Sequence, residues 1–184
     1  MKFIFCGEKM FKEISIYGCL AYCICCFENY ILSLNCDKDE WKIIFNKLWS
    51  MDSMEYFDDW VYQVMELKPE CILEYSYYDS PSEWEYIDEV TFHKLNSLYR
   101  QCTKCKEIND FFDKILNGIE LYTSSSLTAH SLIEHMDKVF LPFITTLNIE
   151  LPDINLFNKF SIKEMNGWGV PVSRDMIEKP YEFA

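Results

Sequence analysis

The stretch Lys106–Leu121, KEINDFFDKILNGIEL, shows most clearly what kind of fold this chain adopts. Its apolar residues recur at intervals of three and four, so one face of a helix collects them. The residues on that face are Ile108, Phe111, Phe112, Ile115, Leu116 and Ile119. The other face is polar and charged, so the pattern predicts an amphipathic helix that buries one side against the rest of the protein.

The same spacing recurs along most of the chain. Further helices are predicted at about Lys9–Leu34, where a break is allowed, and at about Lys38–Trp49, Ser53–Leu67, Thr91–Gln101 and Leu127–Leu147. Asp37, with Glu40 three residues later, forms a capping signal before the second of these helices. Pro69 is expected to end the third helix, and Pro142 to kink the last. The third helix is expected to bury one face, made of Phe57, Trp60, Val61, Val64 and Met65.

The segment Cys71–Glu89 interrupts the helical pattern. Its first part has the composition of a strand, with Ile72, Leu73, Tyr75 and Tyr77, and a turn is indicated at residues 79–82. The sequence therefore predicts either a short strand pair or an ordered loop around residues 71–89.

Glycine is scarce, with 5 residues in 184, and this scarcity favours helices because sheet-rich domains use glycine at their turns. We predict a mainly α fold, with residues 1–184 forming a single domain of packed antiparallel helices. A loop-rich tail is expected from about residue 153, with a tight turn at Gly167-Trp168-Gly169.

The most apolar run is Ile14–Phe27, which is followed by Glu28 and Asn29. A helix that spans a membrane needs about 20 apolar residues, more than this run provides. The bulky Tyr22 and Phe27 do not suit the cleavage region of a secretory signal. We therefore expect a buried helix, no membrane association and a cytoplasmic protein.

The chain has nine cysteines, an odd number that suits thiols in a reducing cytoplasm better than a disulfide framework. Cys19, Cys23 and Cys26 share one helix face and are expected in the core. Cys102 and Cys105 form a CxxC pair, but no second pair or suitably spaced histidine completes a zinc site. Plain thiols are the favoured interpretation of this pair, with a metal or redox role as the alternatives.

Signals for catalysis are absent from the sequence. His130 and His135 are five residues apart, so they face different sides of a helix and do not form a zinc pair. No serine or cysteine lies in a nucleophile elbow, and no glycine-rich loop is suited to phosphate. We predict that the chain is not an enzyme and that it has no catalytic residues, no metal and no cofactor.

The net charge of the chain is concentrated in one segment. The whole chain carries -13, and Asp52–Glu89 alone carries -11, from twelve acids and the single base Lys68. The remaining 146 residues carry only -2. A chain this acidic repels nucleic acid and anionic lipid, so a basic protein is the expected partner.

The same segment also contains nine aromatic residues. Carboxylates steer and pair with lysine and arginine, while tyrosine and tryptophan supply desolvated contact area and can stack on arginine. The partner-binding residues predicted on this basis are Asp58, Asp59, Glu66, Tyr77, Tyr78, Asp79, Glu83, Trp84, Glu85, Tyr86 and Asp88.

The sequences Tyr77-Tyr78-Asp79-Ser80-Pro81 and Glu83-Trp84-Glu85-Tyr86, with the acids from Asp58 onward, are similar in kind to the faces of bacterial toxin immunity proteins. The chain thus resembles the antidotes of contact-dependent growth inhibition and other polymorphic toxin systems over about a fifth of its length. The resemblance implies that the protein binds and inhibits a basic toxin, expected to be a nuclease domain.

Other functions remain open at the level of sequence. A nucleic-acid mimic that inhibits a DNA-binding enzyme would also be acidic, although it needs carboxylates spaced like phosphates and few aromatics between them. A helical adaptor whose acidity is incidental is a further alternative. The oligomeric state is left open.

Overall fold

The computed structural model describes residues 10–79, 84–123 and 130–177, without the side chains of residues 120–123 and 130. Within these ranges the regular structure is helical, which confirms the predicted mainly α fold, and the only pairing of β type is an isolated antiparallel bridge between Ile14 and Ser161. The helices are α1 (Ile16–Ser33), α2 (Lys38–Trp49), α3 (Phe57–Glu66), α4 (Pro69–Glu74), α5 (Glu89–Gln101), α6 (Cys105–Thr123), α7 (His130–His135) and α8 (Leu141–Thr146). Short 3-10 turns occur at Ser50–Asp52, Ile154–Phe157, Met165–Gly167 and Arg174–Met176.

Helix α1 lies at the centre of the protein, and 14 of its 18 residues are buried. A helix that is apolar on all sides needs neighbours on all sides, and α1 packs against α2, α6 and the 3-10 turn Ile154–Phe157. The ring of Phe27 lies 4.9 Å from that of Phe111 in α6 and 5.3 Å from that of Phe45 in α2. Among the described helices, α1 is long and apolar enough to cross a membrane, but its side chains are used in these core contacts.

The cysteines of α1 follow the prediction. Cys19, Cys23 and Cys26 are all buried, and the Cys23 thiol contacts the sulfur of Met136 at 3.5 Å. The eight cysteines in the described ranges are all reduced. Burial raises the pKa of the Cys23 and Cys26 thiols well above the ordinary value, so these sulfur atoms are inert packing groups.

Of the two alternatives predicted for residues 71–89, the described residues contain no strand pair and agree with the loop after residue 74. Ile72 and Leu73 lie in helix α4, with Ile72 fully buried, and residues 75–79 and 84–88 form irregular structure. Pro69 explains the difference, because its fixed φ and missing N–H suit the first position of a helix. The proline both follows α3 and starts α4.

Near Pro142, where the sequence predicts a kink, the helix changes type. The π-helical turn Met136–Phe140 separates α7 from α8, and Pro142 is the second residue of α8. A proline inside a helix has no N–H to donate, and its ring crowds the preceding turn, so a wider turn relieves the clash. Residues 127–129 of the predicted helix lie outside the described residues.

The tail folds back over the start of α1. Ser15 caps the helix by accepting a hydrogen bond from the Gly18 N–H at 3.2 Å, and its own N–H donates to Phe160 at 2.8 Å. The predicted tight turn is found next to this cap, where Gly167 and Gly169 both have positive φ angles, of 97° and 73°. A Cβ at position 169 would lie 2.2 Å from the Ser15 hydroxyl oxygen, so only glycine fits there.

A second contact joins the end of the tail to the helical core. The Glu28 carboxylate of α1 is fully buried, and its Oε1 accepts hydrogen bonds from the Trp49 indole and the Arg174 guanidinium, both at 3.0 Å. Its Oε2 is buried without a hydrogen-bond partner. Burial raises the pKa of Glu28 to about 7, although the indole and the guanidinium both favour the charged form.

Candidate functional site

Helix α3 has two opposite faces that differ in burial. The face turned toward the core consists of Trp60, Gln63, Val64 and, just past the helix end, Leu67. Asp58, Tyr62 and Met65 follow the same spacing of four and then three, but on the opposite side. Tyr62 is 56% exposed and Met65 is 45% exposed, so the outward face offers an aromatic ring and a thioether to solvent.

Tyr62 and Met65, called here the α3 ridge, separate two clefts. The larger cleft has a volume of about 490 Å³ and lies between α3 and α6, with Asp58 and Asp113 among the residues that line it. The smaller cleft has a volume of about 250 Å³, with Tyr75 and Glu85 among the residues that line it. Both ridge residues line both clefts, so a side chain entering either cleft contacts them.

Carboxylates line both clefts beside the ridge, and the lysine that lines the larger cleft is already paired. Lys68 lines the larger cleft, where its ammonium lies 2.6 Å from the Asp113 carboxylate and also pairs with Glu70. Asp58 lies at the same cleft and Glu85 at the smaller one. A cationic group that approaches the ridge therefore meets carboxylates on either side.

The Glu66 carboxylate of α3 holds the backbone of residues 85–87 against this helix. Glu66 accepts hydrogen bonds from the backbone N–H groups of Glu85 at 2.8 Å and of Tyr86 at 3.0 Å, and also from that of Ile87. Partial burial raises the pKa of Glu66, while these N–H groups oppose the shift. The Lys47 ammonium donates to the Tyr86 carbonyl at 3.0 Å, which completes the attachment.

Five of the predicted partner-binding residues are exposed, namely Asp58, Tyr78, Asp79, Glu85 and Asp88. Tyr78 is 68% exposed, and its hydroxyl donates to Glu89. Asp58 and Glu85 lie at the two clefts beside the ridge. Glu83 lies outside the described residues.

Trp84 does not have the position that the sequence suggested. It is buried, and its ring packs edge to face against Phe92 with centroids 4.9 Å apart. Its apolar surface is therefore already used within the protein, and the prediction that it presents contact area to a partner does not agree with this position. Tyr77 is half-buried against the same ring, at 5.5 Å.

Four of the predicted residues, including the exposed Asp88, are engaged in contacts within the protein. Glu66 holds the backbone of residues 85–87, as described above. The Tyr86 hydroxyl donates to the Asp59 carboxylate at 3.1 Å. Asp88 caps helix α5 by accepting the Thr91 N–H at 2.7 Å, a contact that lowers the pKa of its carboxyl. These contacts hold the surface in place, although the exposed Asp88 keeps acceptor sites that a partner can reach.

The ridge itself was not among the predicted residues. The prediction that Met65 lies on the buried face of α3 is wrong, and Tyr62 is not among the predicted partner-binding residues. The spacing of Asp58, Tyr62 and Met65 contains the missing signal, since this face lies opposite Trp60 and Val64 on the helix. Tyr56 and Tyr75 are also exposed, at 62% and 41%.

Among the described residues, no group of three or more histidine, cysteine, aspartate or glutamate side chains is arranged to hold a metal ion. His135 is buried, and its Nε2 lies 2.7 Å from the Lys114 carbonyl oxygen. His93 is exposed, with its Nε2 3.7 Å from Glu89. The His135 contact joins α7 to α6, and the His93 contact lies within α5.

A scan against protein-family models finds no match to this chain, and neither the curated proteins nor the solved structures contain one that is significantly similar.

Proposed function

We propose that this protein is an immunity protein that binds and inhibits a basic bacterial toxin, a nuclease domain in the form we favour. The observation that supports the proposal is the α3 ridge, where exposed Tyr62 and Met65 stand between two clefts. This ridge lies within the segment that carries -11 of the net charge of -13. An apolar centre surrounded by carboxylates is suited to binding a basic protein surface.

The physical roles of the two components differ. Exposed carboxylates raise the rate of encounter with a basic partner, but a solvated ion pair contributes only about 0–1 kcal/mol. An anchored tyrosine contributes about 2 kcal/mol or more, and a flexible methionine adapts to an irregular surface. Affinity is therefore assigned to Tyr62 and Met65, and steering to acids such as Asp58 and Glu85.

Inhibition on this proposal requires no chemistry from the chain. A nuclease binds the phosphate backbone of its substrate through lysine and arginine side chains. When those side chains enter the clefts beside the ridge, they pair with carboxylates in place of phosphates. The toxin is then blocked at its substrate groove or next to it.

The first experiment is affinity capture from the native source at low and high salt, followed by identification of the captured protein and assay of its nuclease activity. The proposal expects a basic protein whose activity is inhibited by stoichiometric amounts of this chain and whose capture weakens as salt rises. Tyr62→Ala is expected to weaken binding of the purified pair about 30-fold, the equivalent of about 2 kcal/mol.

Tyr56→Ala is the matched control, because Tyr56 is equally exposed at the start of α3 but lines neither of the two clefts. Asp58→Lys is expected to slow association more than it speeds dissociation. Capture of a host DNA-binding enzyme would instead identify a nucleic-acid mimic. If no basic protein binds at any salt concentration, the proposal is wrong and the acidic segment is a solvated surface.

A further inference from the structure

The CxxC pair lies at a corner between two helices. Cys102 follows the last residue of α5, and Cys105 is the first residue of α6. Thr103 and Lys104 form the turn between them. A turn of this length holds its first and fourth Cα atoms within about 7 Å, which overlaps the range of about 4.4–6.8 Å that a disulfide spans.

The two sulfur atoms have complementary hydrogen bonds. The Cys102 sulfur accepts the backbone N–H of Lys104 at 3.4 Å. The Cys105 thiol donates to the Tyr99 carbonyl at 3.0 Å and to the Cys102 carbonyl at 3.4 Å, and it is also hydrogen-bonded to the Cys102 side chain. Cys102 is thus arranged as the nucleophile, and Cys105 as the protonated thiol next to it.

The environment of Cys105 agrees with this division. Burial, and then the neighbouring Cys102, raise the pKa of Cys105 to about 11, so it stays protonated at neutral pH. Cys102 lines a cleft of about 250 Å³ that is large enough for a small oxidant. The cysteines of α1 have no such access, since Cys19, Cys23, Cys25 and Cys26 are all buried.

We propose that Cys102 and Cys105 form an oxidisable dithiol, a modification site for hydroperoxides that closes reversibly to a disulfide. This proposal is independent of the proposed binding function. The Cys102 thiolate attacks one oxygen of hydrogen peroxide, which breaks the O–O bond and gives a sulfenic acid and hydroxide. The Cys105 sulfur then attacks the Cys102 sulfur, so that the S–S bond forms, the S–O bond breaks and water leaves with the Cys105 proton. Two electrons pass from the two thiols to the peroxide.

The test uses the full chain treated with hydrogen peroxide, followed by alkylation of the remaining thiols and mass spectrometry. We expect the intact chain to lose the mass of two hydrogen atoms and to regain it with dithiothreitol. Trypsin cuts after Lys104, so the disulfide is seen as a linked pair of peptides, residues 101–104 and 105–106. Linked peptides of this kind identify the bond without any substitution.

Substitutions then separate the two roles. Cys102→Ser is expected to slow oxidation at this corner about tenfold or more, because Cys105 alone supplies little thiolate. Cys105→Ser is expected to stop the reaction at the Cys102 sulfenic acid, which dimedone traps. Cys71→Ser, at a half-buried cysteine of α4, is the control and should leave the linked pair unchanged.

Cys36 provides the decisive alternative, because it lines the same cleft as Cys102. A Cys36–Cys102 disulfide, or a link between two chains, would overturn the proposal. Oxidation of Cys102→Ser at the wild-type rate would also overturn it, and so would a pair that stays reduced while Cys71 is oxidised. None of these results depends on whether a toxin binds at the α3 ridge.

Discussion

Glu66 shows how a carboxylate in an acidic segment can have a structural role. Its side chain accepts hydrogen bonds from the backbone N–H groups of Glu85, Tyr86 and Ile87. These three successive donors have no partner within a helix or strand. Unpaired backbone donors that lose water on folding cost about 1–3 kcal/mol each, so one carboxylate that accepts several is a local stabilising centre. The smaller cleft beside the α3 ridge depends on this attachment.

Glu66→Gln tests this role with little change in shape. The amide retains one acceptor oxygen and places an NH2 group against backbone donors, so we expect a loss of about 1–2 kcal/mol in the free energy of unfolding. Hydrogen exchange at the amides of residues 85–87 should become faster, while exchange in α1 stays unchanged. Glu85→Gln, at an exposed carboxylate of the same segment, is the control. Equal effects of the two substitutions would remove the special role of Glu66.

At the residue scale, exposure was hard to predict where it depends on distant partners. Trp84 lies in a highly acidic stretch, and its burial comes from Phe92, which helix α5 brings beside it. The sequence around Trp84 contains no pattern that predicts this contact. Tyr62 is different, because its position opposite Trp60 on α3 follows from helical spacing alone.

At the scale of elements, local chemistry decides which predictions succeed. Helix α2 has the predicted bounds, Lys38–Trp49, because Asp37 caps it by accepting the Asp39 N–H at 3.0 Å and its apolar residues keep one face. Helix α4 has only six residues, too few to show a period, and its β-branched Ile72 favours the wrong element. The proline that starts α4 was interpreted only as the end of α3.

The contact between the tail and α1 predicts a strong effect of one methyl group. Gly169→Ala places a Cβ 2.2 Å from the Ser15 hydroxyl oxygen and imposes a side chain at a φ of 73°. If Ser15 moves away, α1 loses its N-terminal cap. The energetic cost of the backbone strain and that of the lost cap therefore add. We expect the free energy of unfolding in urea to fall by about 2–4 kcal/mol.

Val170→Ala provides the comparison, since Val170 is the next residue and is half exposed. It should cost less than about 1 kcal/mol. If Gly169→Ala is equally mild, the tail does not pack against the α1 cap as described.

At the scale of the whole molecule, charge is separated from the core. The acidic segment, residues 52–89, contains helices α3 and α4. The buried carboxylate of Glu28 lies in α1 instead, and it joins the tail to the core through Arg174. Burying an ionised carboxylate costs free energy even when one of its oxygens is paired. The second oxygen of Glu28, Oε2, has no hydrogen-bond partner, which adds to that cost. The cost of this contact should therefore depend on pH.

The direction of that dependence follows from the pKa of Glu28, which burial raises from 4.5 to about 7. Between these values the folded chain holds a proton that the unfolded chain has lost, so stability falls as pH rises from about 4.5 to about 7 and then levels off. Each unit corresponds to about 1.4 kcal/mol, which gives a total of about 3 kcal/mol from this group.

Glu28→Gln separates this contribution from those of other groups. The burial of His135 lowers its pKa from 6.5 and gives a slope of opposite sign in the same range, but that slope is common to both proteins and cancels in their difference. Relative to the variant, the wild-type chain should lose roughly 2.4 kcal/mol of its free energy of unfolding between pH 5 and pH 7.5, measured in urea. Glu74→Gln, at an exposed carboxylate, should follow the wild-type curve. Parallel curves for wild type and Glu28→Gln would show that Glu28 is ionised throughout, and that Arg174 and Trp49 together outweigh the cost of burial.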